Sequence, residues 1–499
     1  MKQIKNRGWI LFSVTSSLFF AFQIAGFALS KTPLLSRAFY FWIILFFGSI
    51  IPGFAVGIFI AWILERTKDR REEALFARYE DGWLVEGYRN LGEPVKDPIP
   101  PSSIAWLIIL VCYVPEFLAY YPATFSSEAD NLLLQFNYGP LEGYHYNLHS
   151  LLIYMFWDYG REIGNTATGI AMFTAFQMIC LSGAFAYCIS LIKKMGCRKL
   201  WYWVLVAFAA LFPYHFETAI SYTKGSLFAA SFICAVVLLL YFFRKKRCSL
   251  VPEKEDIIYT AFLVPVIGFS KYMLPAIIVL GVLLLVVMIV LIVKQDYDFL
   301  ICLRVLISTT LSVVIALLLI YGAGKVLDDK MSSVKDTLIS DVSLSRPGES
   351  AEETIRRDAG YLYLFDESYI NVGQGFTESG GMVILSGRAP MYQEYTDLSM
   401  MPGYKRFLTG FLFKIKRIPV ISIVFIFSYV IWGYVIFANI CWYRKEYYLL
   451  IPIGFTFVFL VTCLLTEGVV FKYIYPVWAL LPFMAASIFR GKKPKYDAG

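Results

Sequence analysis

The side chains able to do chemistry are few, and they gather. Between residues 121 and 166 stand Glu128, Asp130, Glu142, His145 and His149, which include two of the chain's 3 histidines. The third, His215, is followed by Glu217 and then by Lys224. Carboxylates, imidazoles and a lysine suit proton abstraction, metal ligation or the holding of a phosphate. His145 and His149 are four apart, so on a helix they share a face. With Glu128 or Asp130 they could hold a divalent metal ion; equally, they could hydrogen-bond to tyrosines and backbone groups among lipid headgroups. Lys224 lies in Tyr222-Thr223-Lys224-Gly225-Ser226, and Lys472 stands just before Tyr473 and Pro476. Each offers a cation to a phosphate, or simply anchors its segment at an interface.

Long apolar runs must position these residues. The 499 residues are 58% hydrophobic and 16% charged, with mean hydropathy +0.62. A soluble domain carries roughly 45–50% apolar and about 25% charged residues, so a soluble core cannot absorb the excess. Windows of about 20 apolar residues, the length that crosses a bilayer, fall at 9–30, 39–63, 103–122, 167–191, 200–213, 225–243, 257–270, 273–293, 299–323, 418–441, 448–466 and 470–490. The windows at 200–213 and 257–270 are short and borrow from their flanks. This predicts an all-α polytopic membrane protein with about twelve transmembrane helices. The basic start, Met1 to Gly8, runs into an apolar stretch with no small-residue cleavage site, which reads as a retained first helix.

Lysine and arginine set the expected orientation. With a cytoplasmic N-terminus, Arg66, Arg70, Arg71, Lys193, Lys194, Arg198, Lys199, the run Arg244-Lys245-Lys246-Arg247, Arg444 and Lys445 all fall in cytoplasmic connections. The short outer connections hold few basic residues, as the positive-inside rule requires. Both termini are then cytoplasmic, and the protein is multi-pass in the cell membrane. Two long connections, 121–166 and 324–417, face outward, and every histidine lies on that side. The first carries the apolar stretch Leu151 to Trp157, which suits a helix lying in the interface. The second reads as a small extracytoplasmic subdomain. The expected organisation is a transmembrane bundle over 1–323 with its functional outer loop at 121–166, the subdomain at 324–417, and C-terminal transmembrane helices over 418–499.

Lys405, Arg406, Lys414, Lys416 and Arg417 interleave with Phe407, Leu408, Phe411, Leu412 and Ile415, an amphipathic pattern at the outer surface. These cations either snorkel to lipid phosphates or form a basic rim around a phospholipid-linked substrate. Arg304 lies a few residues inside its span, close enough to reach the cytoplasmic face. All nine cysteines fall in predicted spans or cytoplasmic loops, so no outer disulfide framework and no zinc spacing is expected.

Three stretches resemble motifs of one family. Tyr121-Pro122-Ala123-Thr124-Phe125-Ser126-Ser127-Glu128 is similar to a Tyr-Pro-Gly stretch ending in an Asp. Tyr144-His145-Tyr146-Asn147-Leu148-His149 is similar to a His-Pro segment before an interfacial helix. Thr223-Lys224-Gly225-Ser226-Leu227-Phe228 is similar to a Lys-Asp motif opening a later span. These motifs belong to the GT-C superfamily of polytopic glycosyltransferases, and more closely to a poorly characterised bacterial branch of the Gram-positive type. Lys472-Tyr473 with Pro476 resembles the Arg-Tyr…Pro entry to the last span of many members. The chain departs from the pattern at Ala123 for Gly, Glu128 for Asp, the missing His-Pro proline, and Gly225 for the acid of Lys-Asp.

The resemblance implies transfer of a sugar from a polyprenyl-phosphate donor to an envelope glycan or lipid acceptor at the outer face. Glu128 would be the catalytic carboxylate, with Asp130 its rival. His145 and His149 would position the acceptor or a divalent metal ion, and Lys224 and Lys472 would hold the phosphate. The expected partners are the lipid bilayer, the lipid-linked sugar and its acceptor, with no nucleic acid. A transporter or flippase of lipid-linked saccharide stays open as an alternative, as does a non-catalytic GT-C-like protein of envelope assembly.

Overall fold

Each of the twelve apolar windows falls, in whole or part, on a helix. The computed structural model describes residues 8–31, 39–79, 102–124, 133, 136, 148–195, 197, 199–222, 225–244, 254–269, 273–293, 299–331, 398–415, 427–466 and 471–488. Among these the regular elements are all helical. They are α1 (Gly8–Lys31), α2 (Phe39–Tyr79), α3 (Ser102–Ala119), α4 (Leu148–Glu162), α5 (Thr166–Lys194), α6 (Lys199–Leu211), α7 (Pro213–Ile220), α8 (Gly225–Arg244), α9 (Lys254–Phe269), α10 (Met273–Val293), α11 (Phe299–Met331), α12 (Pro402–Ile415), α13 (Phe427–Tyr443), α14 (Leu450–Thr466) and α15 (Phe471–Ile488). Six of them (α2, α3, α5, α8, α10 and α11) are long and apolar enough to cross a membrane, and α6 with α7 would make a seventh, bent by 49°. The chain is a multi-pass helical membrane protein.

A helix apolar on all sides belongs in the middle, and α8 is that helix. From Leu227 to Leu240 nearly every residue is buried, against α5, α9, α14 and α15. By contrast α10 buries Ala276, Ile277, Leu280 and Leu284 but exposes Ile278, Val282, Val286 and Ile289. An apolar face turned outward along a whole helix faces lipid.

Small residues let helices touch where apolar burial gives no driving force. Gly53 and Gly57 of α2 lie directly on Ser17 and Ser13 of α1, leaving no space for a Cβ. Gly160 of α4 faces Gly169 of α5 so closely that a Cβ on Gly160 would stand 2.9 Å from the Gly169 Cα. Between these two helices the chain reverses through Gly164 at φ +73, and the Asn165 side chain caps α5 by accepting from the Thr168 N–H at 3.1 Å.

The structure adds three particulars. The short window 200–213 is α6, and it continues after a break as α7, with Pro213 at the first helical position where its missing N–H costs nothing. Arg304 meets a carboxylate: its guanidinium donates to the Asp256 side chain of α9. His215 lies in α7, every residue of which is buried within the protein. The expected interfacial helix is α4, which buries His149, Ser150, Ile153, Trp157 and Gly160 along one stripe. Of the expected 324–417 subdomain, the described part beyond α11 is 398–415, which contains α12.

Candidate functional site

The site is built at the C-terminal end of α3. A helix ends with carbonyls that have no partner of their own. Here they are taken by a segment almost 300 residues away in sequence: Ser399 Oγ donates to the Ala119 carbonyl at 2.6 Å, and the Met400 N–H to the Leu118 carbonyl at 3.0 Å. The same segment opens α12, whose Tyr404 hydroxyl donates to Glu116 Oε1 at 2.9 Å. Burial, and then the neighbouring Glu116 carboxylate, push the Tyr404 hydroxyl up to about 12. Lys405 lies over the Tyr120 ring, its Nζ 5.4 Å from the centroid.

Beyond α3 the chain passes through a cis Tyr121–Pro122 bond and pairs with the exit of α7. Thr124 and Ser221 form a parallel bridge: the Thr124 N–H donates to the Ile220 carbonyl at 3.0 Å, and the Tyr222 N–H to the Thr124 carbonyl at 2.8 Å. Their hydroxyls also meet at 3.1 Å. Ser221 Oγ spends its hydrogen on the Glu217 carbonyl at 2.7 Å, so Thr124 is the donor between them.

Several polar side chains near the bridge are buried in the apolar bundle. Glu116 and Glu217 are both buried. His215 is wholly buried, its Nδ1 2.7 Å from the Tyr475 hydroxyl of α15. Rings enclose its imidazole, with Phe208 at 4.5 Å, Phe185 at 4.6 Å and Trp478 at 5.6 Å between centroids. Buried ionisable groups at membrane depth are costly and mark functional sites.

Of the site residues named from sequence, Glu128, Asp130, Glu142, His145 and Lys224 lie outside the described residues, and so does the pairing of His145 with His149. Lys472 belongs to the first turn of α15, its side chain outside the described part. His149 is buried at the start of α4, its ring 5.7 Å from that of Phe173 and 5.6 Å from that of Phe269. The apolar rings beside His149 do not suit a ligand of a hard cation, which wants oxygen donors around it. Among the described residues no three His, Cys, Asp or Glu side chains gather as a metal site.

Glu116, Tyr404 and Tyr475 escaped the sequence reading. The signal for Glu116 was present: it is the one carboxylate in the window 103–122. Nothing local distinguishes Tyr404 or Tyr475 among 34 tyrosines. No protein-family model, no curated protein and no solved structure matches the chain.

Proposed function

We propose that the protein is a membrane glycosyltransferase of GT-C type, moving a sugar from a polyprenyl-phosphate donor to an envelope glycan or lipid acceptor. In this reading all twelve apolar helices span the cell membrane, both termini are cytoplasmic, and the bridge end of the bundle faces outward. The observation that carries it is the Thr124–Ser221 bridge. Glu128 follows Thr124 by four residues and Lys224 follows Ser221 by three. An extended chain covers at most ~3.6 Å per residue, so chain length alone permits the proposed base and the proposed phosphate-binding lysine to meet near the bridge.

The reaction is attack by an acceptor hydroxyl on the anomeric carbon of the donor. The new C–O bond forms as the bond from carbon to the phosphate oxygen breaks. Glu128, or Asp130, takes the hydroxyl proton, and Lys224 with Lys472 meets the charge on the departing phosphate. His145 orients the acceptor, and buried His149 steadies the start of α4 beneath it. A divalent ion is the cofactor this chemistry admits, with Glu128, Asp130 and His145 as its ligands. The basic and aromatic α12 rims the donor entrance. Its Tyr404, Phe407 and Phe411 rings stack at 6.3 and 6.0 Å, with Phe407 and Phe411 exposed as an apolar face toward lipid.

The test is the double variant Glu128→Ala with Asp130→Ala, assayed for sugar transfer from a polyprenyl-phosphate donor. Loss of a positioned base lowers the rate by on the order of 10²–10⁴-fold. Full activity in the double variant removes the assignment. A second reading, a transporter of lipid-linked saccharide, draws on the buried Glu116, Glu217 and His215, since such groups line transport pathways. A transporter would move the saccharide with its phosphate bond intact, whereas the transferase releases free polyprenyl phosphate.

A further inference from the structure

Ser226 stands second in the central helix α8, and the transfer chemistry above does not use it. It is fully buried, and its hydroxyl has no hydrogen-bond partner among the described residues. A buried hydroxyl left without a partner costs free energy. Other buried hydroxyls of the bundle are spent one turn back along their own helices: Thr174 donates to the Ile170 carbonyl at 3.0 Å and Ser182 to the Met178 carbonyl at 2.7 Å. Ser226 has no helical turn behind it.

Its place in the helix decides what it faces. The first N–H groups of an α-helix have no partner within the helix, and they carry the positive end of its dipole. The Cα–Cβ bond of a helical residue tilts toward the N-terminus, so the Ser226 hydroxyl is carried toward the open side of those amides. No acidic side chain stands in the first turn to balance them. The residue ahead of Gly225 is Lys224, not one of the short polar residues that cap a helix. Gly225 itself is half-buried and has no side chain to cover the amides. The walls around this end are apolar rings and chains. Leu227 and Phe228 are buried, with the Phe228 ring 5.4 Å from that of Phe459 of α14, and the Tyr222 ring lies 5.3 Å from that of Phe173 of α5. Walls of low dielectric strengthen the pull of such a site on an anion. Helix α15 begins at the same end, since its Tyr475 meets His215 of α7, the helix that hands the chain on to α8; its first turn also lacks an acid.

We propose that the first amides of α8 and the Ser226 hydroxyl form an oxyanion site that takes the phosphate of the lipid-linked donor. In naming the anion as the donor's phosphate, the proposal rests on the transfer reading. The hydroxyl and the free amides donate to phosphate oxygens, as helix N-termini do toward phosphate. The test titrates the full chain in lipid nanodiscs with farnesyl phosphate, a short isoprenyl phosphate, by calorimetry, with empty nanodiscs as the blank. The wild type should bind, and Ser226→Ala should bind on the order of 10-fold more weakly, the loss expected for one hydrogen bond to a charged group. The ligand-free Ser226→Ala chain should unfold in SDS no more easily than the wild type, because without ligand the hydroxyl has no bond to lose. Equal binding by the two chains, no binding by the wild type, or a destabilised ligand-free variant overturns the site. Inorganic phosphate should not displace farnesyl phosphate at equal concentration; displacement overturns the lipid-linked source. Binding that depends on Ser226 in a chain that transfers no sugar removes the transfer reading and keeps the oxyanion site. Sugar transfer with binding indifferent to Ser226 removes the site and keeps the reading.

Discussion

At one end of the central helix α8, Lys194 of α5 meets Glu255 of α9 at 3.7 Å, and Arg304 of α11 meets Asp256. At the other end, about 30 Å away for a helix of this length, Glu116 and Glu217 are set among phenols, an imidazole and each other. The first end sets the carboxylates of Glu255 and Asp256 against cations, which is what holding helices together asks of charge. The second concentrates negative groups and leaves part of one unmatched. A bundle that only needed to pack would have no use for that arrangement. The contrast teaches that ionisable groups are buried here in two settings, against opposite charge at one end and among neutral donors at the other.

The contrast can be broken by measurement. Arg304→Ala should have the largest effect, about 3 kcal/mol of destabilisation in SDS unfolding. That is the lower end of the range for a broken buried pair, because Arg304 and Asp256 keep side-chain exposures of 16% and 10%. Tyr475→Phe should cost about 1–2 kcal/mol, since it strands a wholly buried histidine nitrogen. Glu217→Gln keeps the shape of a fully buried side chain and replaces its carboxylate by a neutral amide, so it should cost less than about 1 kcal/mol by the same assay. If it costs as much as Arg304→Ala, the two ends are alike and the contrast fails. Lys194→Ala should come last, at under about 0.5 kcal/mol, because its side chain is 45% exposed and the pair is long.

Much of the architecture was legible in the linear order. Twelve apolar windows became helices because a run of about 20 apolar residues has few other places to go. The amphipathic stretches at 149–160 and 405–417 became α4 and α12 for the related reason that one apolar stripe wants one apolar surface. The α1–α2 contact was also written there, as Ser13 and Ser17 against Gly53 and Gly57, both at four-residue spacing, though it went unread. The candidate site was less legible. His215 and Glu217 were visible as residues, but their burial was not, because Pro213 turns α7 inward and no local pattern announces the 49° bend.

The sequence by itself determined the class of protein, the helices, and the stretches where polar side chains collect. Local composition decides those, since each apolar window satisfies its own backbone within one helix. Only the tertiary structure decided which polar groups meet. Tyr404 reaches Glu116 across 288 positions, and Tyr475 reaches His215 across 260. Thr124 and Ser221 join two loops through a single bridge. Such pairings depend on which helix ends arrive together, and helix packing sets that through the shapes of all the side chains between them. Whether a buried ionisable group finds a partner of opposite sign or a neutral donor is therefore a property of the folded bundle, and here it separates the clasp at Arg304 from Glu116, which meets the Tyr404 hydroxyl.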